Sequence, residues 1–307
     1  MTRFLLRSIG SGLFIIWGAV TLVFIIVRSA PGDQATILLG PEATVGEVEA
    51  LRTKLGLDAP LPVQYLLYLG NVIRLDFGES YRYAQPAIEL VFERLPATIE
   101  LTLAAATIAL IGLVLGAFAG SRPGSRLDRG LSSSALILQA VPPFWVGIMF
   151  ILLFALVLRV LPSSGTGSLA HMVMPAVTLA LPFIALLARI TRSSVADSMG
   201  EGYVQTALSK GLTPRQVLFG HVIRNSSIPV VTVFGLHLGA LLGGAVIIEN
   251  VFAWPGLGSL LVSAVSNRDY AIVQAATLVA AAVVVTLNIT VDVLYARLDP
   301  RVRLAKR

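Results

Sequence analysis

Six long stretches of this chain are built almost wholly from Leu, Val, Ile, Ala, Phe and Gly: Ile9–Val27, and about 98–119, 131–158, 172–195, 230–248 and 272–294. A helix needs roughly 20 apolar residues to cross the ~30 Å hydrocarbon core of a bilayer. Within that core every backbone N–H and C=O must find its partner inside the protein, which a helix does residue by residue. Runs of this length and number therefore restrict the chain to a bundle of membrane-crossing helices. Composition agrees, with 56% hydrophobic and 13% charged residues, against about 25% charged in a soluble domain. The expected fold is an all-α integral membrane protein of six transmembrane helices, embedded in the lipid bilayer.

Charge sets the orientation. Arg3 and Arg7 precede the first run, which is longer than the ~7–15 apolar residues of a signal peptide and is read as a retained helix. With the N-terminus inside, Arg3, Arg7 and the segments 122–129, 189–224 and 297–307 share one side and hold 15 of the 23 Lys and Arg. Basic residues concentrate on the cytoplasmic side, so N- and C-termini are both expected there. The net charge of +6 is spread over helix ends, which is not a nucleic-acid footprint. The absence of cysteine excludes disulfides and thiolate metal sites.

The chain divides into an N-terminal tail and first helix (1–28), a hydrophilic insertion (29–96) and a core (97–307). Pro31–Gly32, Gly56 and the string L-D-A-P-L-P break the insertion, leaving short helices near Glu47–Leu55 and Val63–Ile73. Pro142–Pro143 should kink the third run, and Pro175 and Pro182 interrupt the fourth.

One long polar break interrupts the C-terminal two-thirds, within the loop 196–225. Tyr203–Lys210 reads as two turns of helix with Val204, Ala207 and Leu208 on one face. Gly211 suits the left-handed residue that ends such a helix. Thr213 can cap a second helix, with Pro214 at its first position and Gln216 completing a capping box. A helix this short is marginal alone in water and must pack on something. Spacing leaves open whether that is the chain's own helix ends or a partner.

Chemistry-bearing motifs are missing. No phosphate-binding glycine loop is present, His171, His221 and His237 are too far apart for a zinc motif, and there is no G-x-S-x-G. Polar residues inside the apolar runs are costly to bury and become translocation-path candidates: Gln139, His237, Gln274 and Asn288. Each could equally bond a neighbouring helix. Asp292 could pair with Arg297, while Glu249 and Asn250 open a turn, E-N-V-F-A-W-P-G-L-G, expected at the outer mouth. Gly235, Gly239 and Gly243 recur every four residues, a spacing that lets helices approach closely, with a sister subunit as one possible neighbour.

Y-V-Q-T-A-L-S-K-G-L resembles the cytoplasmic coupling loop of ABC-importer permeases. Gln205, Thr206 and Ala207 stand where that family has Glu-Ala-Ala and Gly211 is its glycine, although only Ala207 and Gly211 match literally. R-N-S-S-I-P-V, V-R-S-A-P-G-D, K-L-G-L-D-A-P, R-L-P-A-T-I-E-L-T-L and Y-A-R-L-D-P-R-V-R are similar to the dipeptide/oligopeptide (peptide/nickel) subfamily, so the resemblance covers nearly the whole chain. It implies the type I importer permease architecture in a prokaryotic cell membrane, forming half of a translocation pathway. The implied partners are a sister permease subunit, two cytoplasmic nucleotide-binding domains and an extracytoplasmic substrate-binding protein. ATP and Mg would be held by the ATPase partners, with no cofactor on this chain and no catalysis by it. The coupling contact would come from Tyr203, Val204, Gln205, Thr206, Ala207, Leu208, Lys210, Gly211, Leu212, Thr213, Pro214 and Arg215, and the insertion would face the binding protein. Cargo stays open between peptides, nickel chelates, glutathione and another small ligand. A self-contained secondary carrier or channel is the competing class. It calls for an ionised residue at mid-membrane, which the apolar runs do not obviously supply.

Overall fold

Helices account for nearly every element in the computed structural model, which describes residues 2–29, 34–40, 43–54 and 56–298. The first membrane helix is α1 (Thr2–Ser29). Three short helices follow, α2 (Gln34–Leu39), α3 (Val45–Lys54) and α4 (Leu61–Arg74), then a two-residue hairpin, β1 (Glu79–Ser80) and β2 (Gln85–Pro86). The second span runs as α5 (Ala87–Ala109) and α6 (Ile111–Gly120). The third is the bent pair α7 (Arg126–Ala140) and α8 (Pro143–Phe150), the latter extended by a π-turn at Ile151–Val157. Then come α9 (Leu169–Met199), α10 (Gly202–Ser209), α11 (Pro214–Val217), a π-turn at Leu218–Val222, α12 (Ile223–Val251), α13 (Leu257–Ser266) and α14 (Tyr270–Leu298). Five spans are long and apolar enough to cross a membrane, and the bent pair, turned by 98° at Val141–Pro142, makes the sixth. The Pro pair supplies the break, because a residue before proline is pushed out of the helical region and Val141 is extended.

Two expectations about boundaries are corrected. The second span begins at Ala87, not near 98, with Pro96 inside the helix. Its early turns are held by burial of Ala87, Leu90 and Val91 against Leu257, Leu260 and Ile272. Packing of that apolar face outweighs the one backbone bond that Pro96 removes. The stretch 249–258 is a turn only over residues 252–256. Helix α12 continues to Val251, Phe252 and Trp254 are buried, and α13 follows, a helix with no counterpart in the sequence reading. The strings around Pro31–Gly32 and Asp299–Arg301 lie outside the described residues, as does the side chain of Arg297.

Helix α9 is central, packing against α5, α6, α7, α8 and α12. Its closest neighbour is α6, along Gly112, Gly116 and Gly120, where a methyl group would collide with the carbonyls of Ile184, Ala188 and Arg192. Small residues four apart thus bring two backbones into contact. At one end of this pair Arg192 donates two bonds to Asp128, each 2.7 Å, joining α9 to the start of α7. At the other end of the molecule α4 lies on α1, with Tyr68 stacked on Phe24 and Thr21 hydrogen-bonded to Tyr65 at 2.6 Å. The hairpin is tied to the α13–α14 turn by Ser80 donating to Asp269 and Tyr81 donating to the Asn267 carbonyl. The insertion is therefore anchored to the first and last spans.

Candidate functional site

The loop between α9 and α12 folds as its residue types dictate. Helix α10 ends at Ser209, and Gly211 takes φ +85°, where any Cβ is strained even though no atom lies within 4 Å. The Thr213 hydroxyl accepts from the Gln216 amide N–H (3.3 Å), and the Gln216 side-chain oxygen accepts from Thr213 N–H (2.9 Å), a complete capping box. Pro214 fills the first helical position, where its missing N–H costs nothing.

The apolar face of α10 packs within the chain. Val204 is 1% exposed and Ala207 9%, packed with Val195, Val217 and Val222 into a small core of the chain's own helix ends. Leu208 and Leu212 are half-buried against the same core. Of the two surfaces that spacing left open, the apolar face is turned onto the chain's own helix ends. An apolar stripe of two turns finds its nearest dry surface on α9 and the π-turn, and this packing supplies what the short helix lacks in intrinsic stability. Tyr203, Gln205, Thr206, Lys210, Gly211, Thr213, Pro214 and Arg215 lie on the exposed side. A polar, aromatic-bearing ridge is what this end of the bundle presents.

The polar candidates inside the spans separate. Gln139 and His237 meet at one cavity of about 450 Å³ between α7, α8, α9 and α12, floored by Pro182, Phe183 and Leu186. His237 stacks on Phe183, which stacks on Phe234 (5.8 and 5.4 Å between ring centres). Gln274 lies elsewhere, in a cavity of about 360 Å³ between α1, α4, the hairpin and α14 that also holds Arg28, Asp76, Glu79 and Arg268. Tyr68 lines the same cavity, and its burial, with Tyr65 adjacent, pushes the phenol up to about 12. Asn288 faces Gly239 across the α12–α14 contact, and Asp292 accepts from Ser8 at 3.4 Å.

The glycine stripe on α12 divides too. A methyl group at Gly235 would strike Val291, and one at Gly239 would sit 3.2 Å from the Asn288 Oδ1. Both approaches are to α14 of the same chain. Gly243 has nothing within 4 Å.

Glu249, expected to open a turn at the outer mouth, has no exposed surface. Its carboxylate accepts from the Thr98 hydroxyl (2.5 Å) and the Ser259 N–H (2.9 Å), while Thr98 Oγ1 accepts from Leu257 N–H (2.7 Å). The acid on α12 thus caps the N-terminus of α13, where backbone N–H groups and the helix dipole favour negative charge. The turn closes over it through Trp254, whose indole donates to the Ala97 carbonyl at 2.9 Å, and a methyl group at Gly256 or Gly258 would collide with the carboxylate. Thr98, Glu249, Trp254 and these two glycines form a locked junction of α5, α12 and α13 that sequence reasoning missed.

A bundle of membrane-length helices with a short, cross-braced helix presented at one end defines a polytopic membrane protein. The chain belongs to the family of binding-protein-dependent transport system inner membrane components, permeases of ABC transporters, with residues 112–304 matching that family and 1–102 its N-terminal membrane-component segment. It is 37% identical to the oligopeptide transport system permease protein AppB of Bacillus subtilis over 98% of this chain and 99% of that one. Identity to the di/tripeptide transport system permease protein DppB of Pseudomonas aeruginosa is 37%, covering 99% of each. To the glutathione transport system permease protein GsiC of Escherichia coli it is 39%, covering 92% of each. Among solved structures, an inward-facing MetNI methionine ABC transporter chain shares the fold, with TM-score 0.57 at 18% identity over 70% of this chain and 98% of that one.

Proposed function

We propose that this chain is one of two permease subunits of an ATP-driven peptide importer. In this reading it forms half of the pathway, and the outward ridge of α10, the Gly211 corner and α11 dock on a separate cytoplasmic ATPase. The observation that carries the docking role is the inward turn of Val204 and Ala207. It leaves Tyr203, Gln205, Thr206 and Lys210 as a rigidly backed polar surface. Because Val204 packs on Val195, a push on α10 is delivered directly to α9. The insertion would face an extracytoplasmic binding protein, with both termini in the cytoplasm of a prokaryotic cell. Gln139 and His237 would line the path, and ATP and Mg would stay with the partner subunits.

Peptide cargo rests on the oligopeptide and di/tripeptide permeases matched over nearly their whole length. The glutathione permease, itself matched over 92% of its length, supports a second reading in which the ligand is that γ-linked tripeptide. Uptake by the complete reconstituted system of labelled dialanine, trialanine and glutathione separates the two.

The coupling role is tested at Gly211. A residue with a Cβ at φ +85° costs about 1–2 kcal/mol, and a β-branched one more. Gly211→Val should leave membrane insertion and abundance near wild type. It should abolish the rise in ATP hydrolysis caused by the loaded binding protein, with Gly211→Ala intermediate. Undiminished stimulation in the valine variant would remove the coupling role.

A further inference from the structure

Two cavities outside the proposed path share a wall, and the second reaches the α11 end of the docking ridge through Pro214 and Arg215. The first, about 280 Å³, lies between α6, α9 and the start of α12 and is almost entirely apolar, with Leu113, Val114, Ile223 and Val230 along it. The second, about 320 Å³, sits at the α6–α7 turn and α11 and is bordered by Ser121, Arg122 and Arg215. Phe118, Leu218 and Phe219 line both, so the two are halves of one groove. One face of the second span carries it throughout: Leu113, Val114, Ala117 and Phe118, then Ser121 and Arg122. At 1.5 Å per helical residue the stretch from Leu113 to Arg122 is about 14 Å deep, close to one leaflet of a ~30 Å hydrocarbon core.

The groove is open to its surroundings: Val114 is 56%, Phe118 50% and Phe219 62% exposed. Thr191 lines the apolar half from α9, 6% exposed, with its buried hydroxyl bonded to no described residue. Among the described residues no carboxylate lines either half, and neighbouring Asp128 is engaged by Arg192. We propose that this groove binds one anionic phospholipid, with the phosphate at Arg122 and Arg215, the ester region near Thr191 and an acyl chain along Val114 and Val230. The chemistry selects the occupant. A free phosphate or nucleotide would leave the apolar half unused. A choline or ethanolamine headgroup would bring an ammonium to two guanidiniums with no acid to meet it. Basic pockets between spans at the membrane surface are the general form of lipid headgroup sites. The assignment holds whichever cargo the transporter carries.

Native mass spectrometry of the complete purified transporter, titrated with dioleoyl phosphatidylglycerol or dioleoyl phosphatidylcholine, tests this. Wild type should retain one phosphatidylglycerol per copy of this chain with roughly 30-fold preference, the effect of two basic contacts. Arg122→Gln with Arg215→Gln should erase the preference, Arg122→Lys should keep most of it, and Val114→Trp should lower retention of both lipids. Glycerol phosphate at millimolar concentration should displace nothing. Equal retention of the two lipids, or an unchanged preference in the double variant, overturns the site. Displacement by glycerol phosphate would make it a free-anion site. Release of another subunit by Val114→Trp, with lipid retention intact, would make the groove a subunit interface. Either result also overturns the lipid assignment.

Discussion

Glu249 shows what a single side chain settles in this molecule. A buried carboxylate is tolerated only where hydrogen bonds replace its water, and here Thr98, 151 residues away in sequence, and the Ser259 N–H do so. Glu249→Ala leaves those donors buried without an acceptor, at a cost of about 2–4 kcal/mol. Glu249→Gln keeps one acceptor oxygen and should lose less. Thermal inactivation of the detergent-solubilised complex, followed by size-exclusion chromatography, should rank wild type above Gln above Ala, and equal midpoints would contradict the capping role. None of this was legible beforehand. E-N-V-F-A-W-P-G-L-G has the charge and the Gly/Pro content of a surface turn, and the partner that changes its meaning sits on another span. Gly211 is the contrary case: helix, left-handed glycine and capping box are all local, so the sequence alone places them. Locality also explains why spacing left the surface covered by Val204 and Ala207 open. Periodicity identifies an apolar face but carries no information on what covers it.

Helices in this bundle meet through glycines, and two similar stripes have different fates. Gly112, Gly116 and Gly120 on α6 touch the α9 backbone, whereas on α12 the contact fades from Gly235 through Gly239 to nothing at Gly243. Gly116→Leu should therefore separate α6 from α9 and sharply reduce the amount of folded protein in the membrane. Gly243→Leu, the same change at an open position, should leave abundance near wild type. Immunoblots of membrane fractions report both, and equal loss in the two variants would mean the spacing matters more than the contact. The four-residue interval is present in both stripes, and spacing alone carries no information on what each stripe meets. The second helix was placed too late for a related reason. Pro96 looks like a start when read locally, and only packing of Leu90 and Val91 on α13 and α14 carries the helix back to Ala87.

For the molecule as a whole, span count and alternation of charge predict an orientation that can be read chemically. Cys introduced at Glu47 in α3 should react with an impermeant maleimide in intact cells, and Cys at Arg126 should react only after lysis. The opposite pattern would invert the topology and move the α10 ridge outside. The same architecture has a mechanical consequence. Helix α9 is 31 residues long, about 46 Å at 1.5 Å per residue. Its last turns are gripped on two sides, by the Arg192–Asp128 pair to α7 and by Val204 and Val217 packed on Val195. A rod held in this way behaves as a lever, so a rotation of only ~5° about the gripped end would carry the far end of a helix of this rise by about 4 Å. That is on the scale of a side chain. In the proposed reading, a modest torque at the rim of the bundle would then suffice to open or close a passage a membrane thickness away.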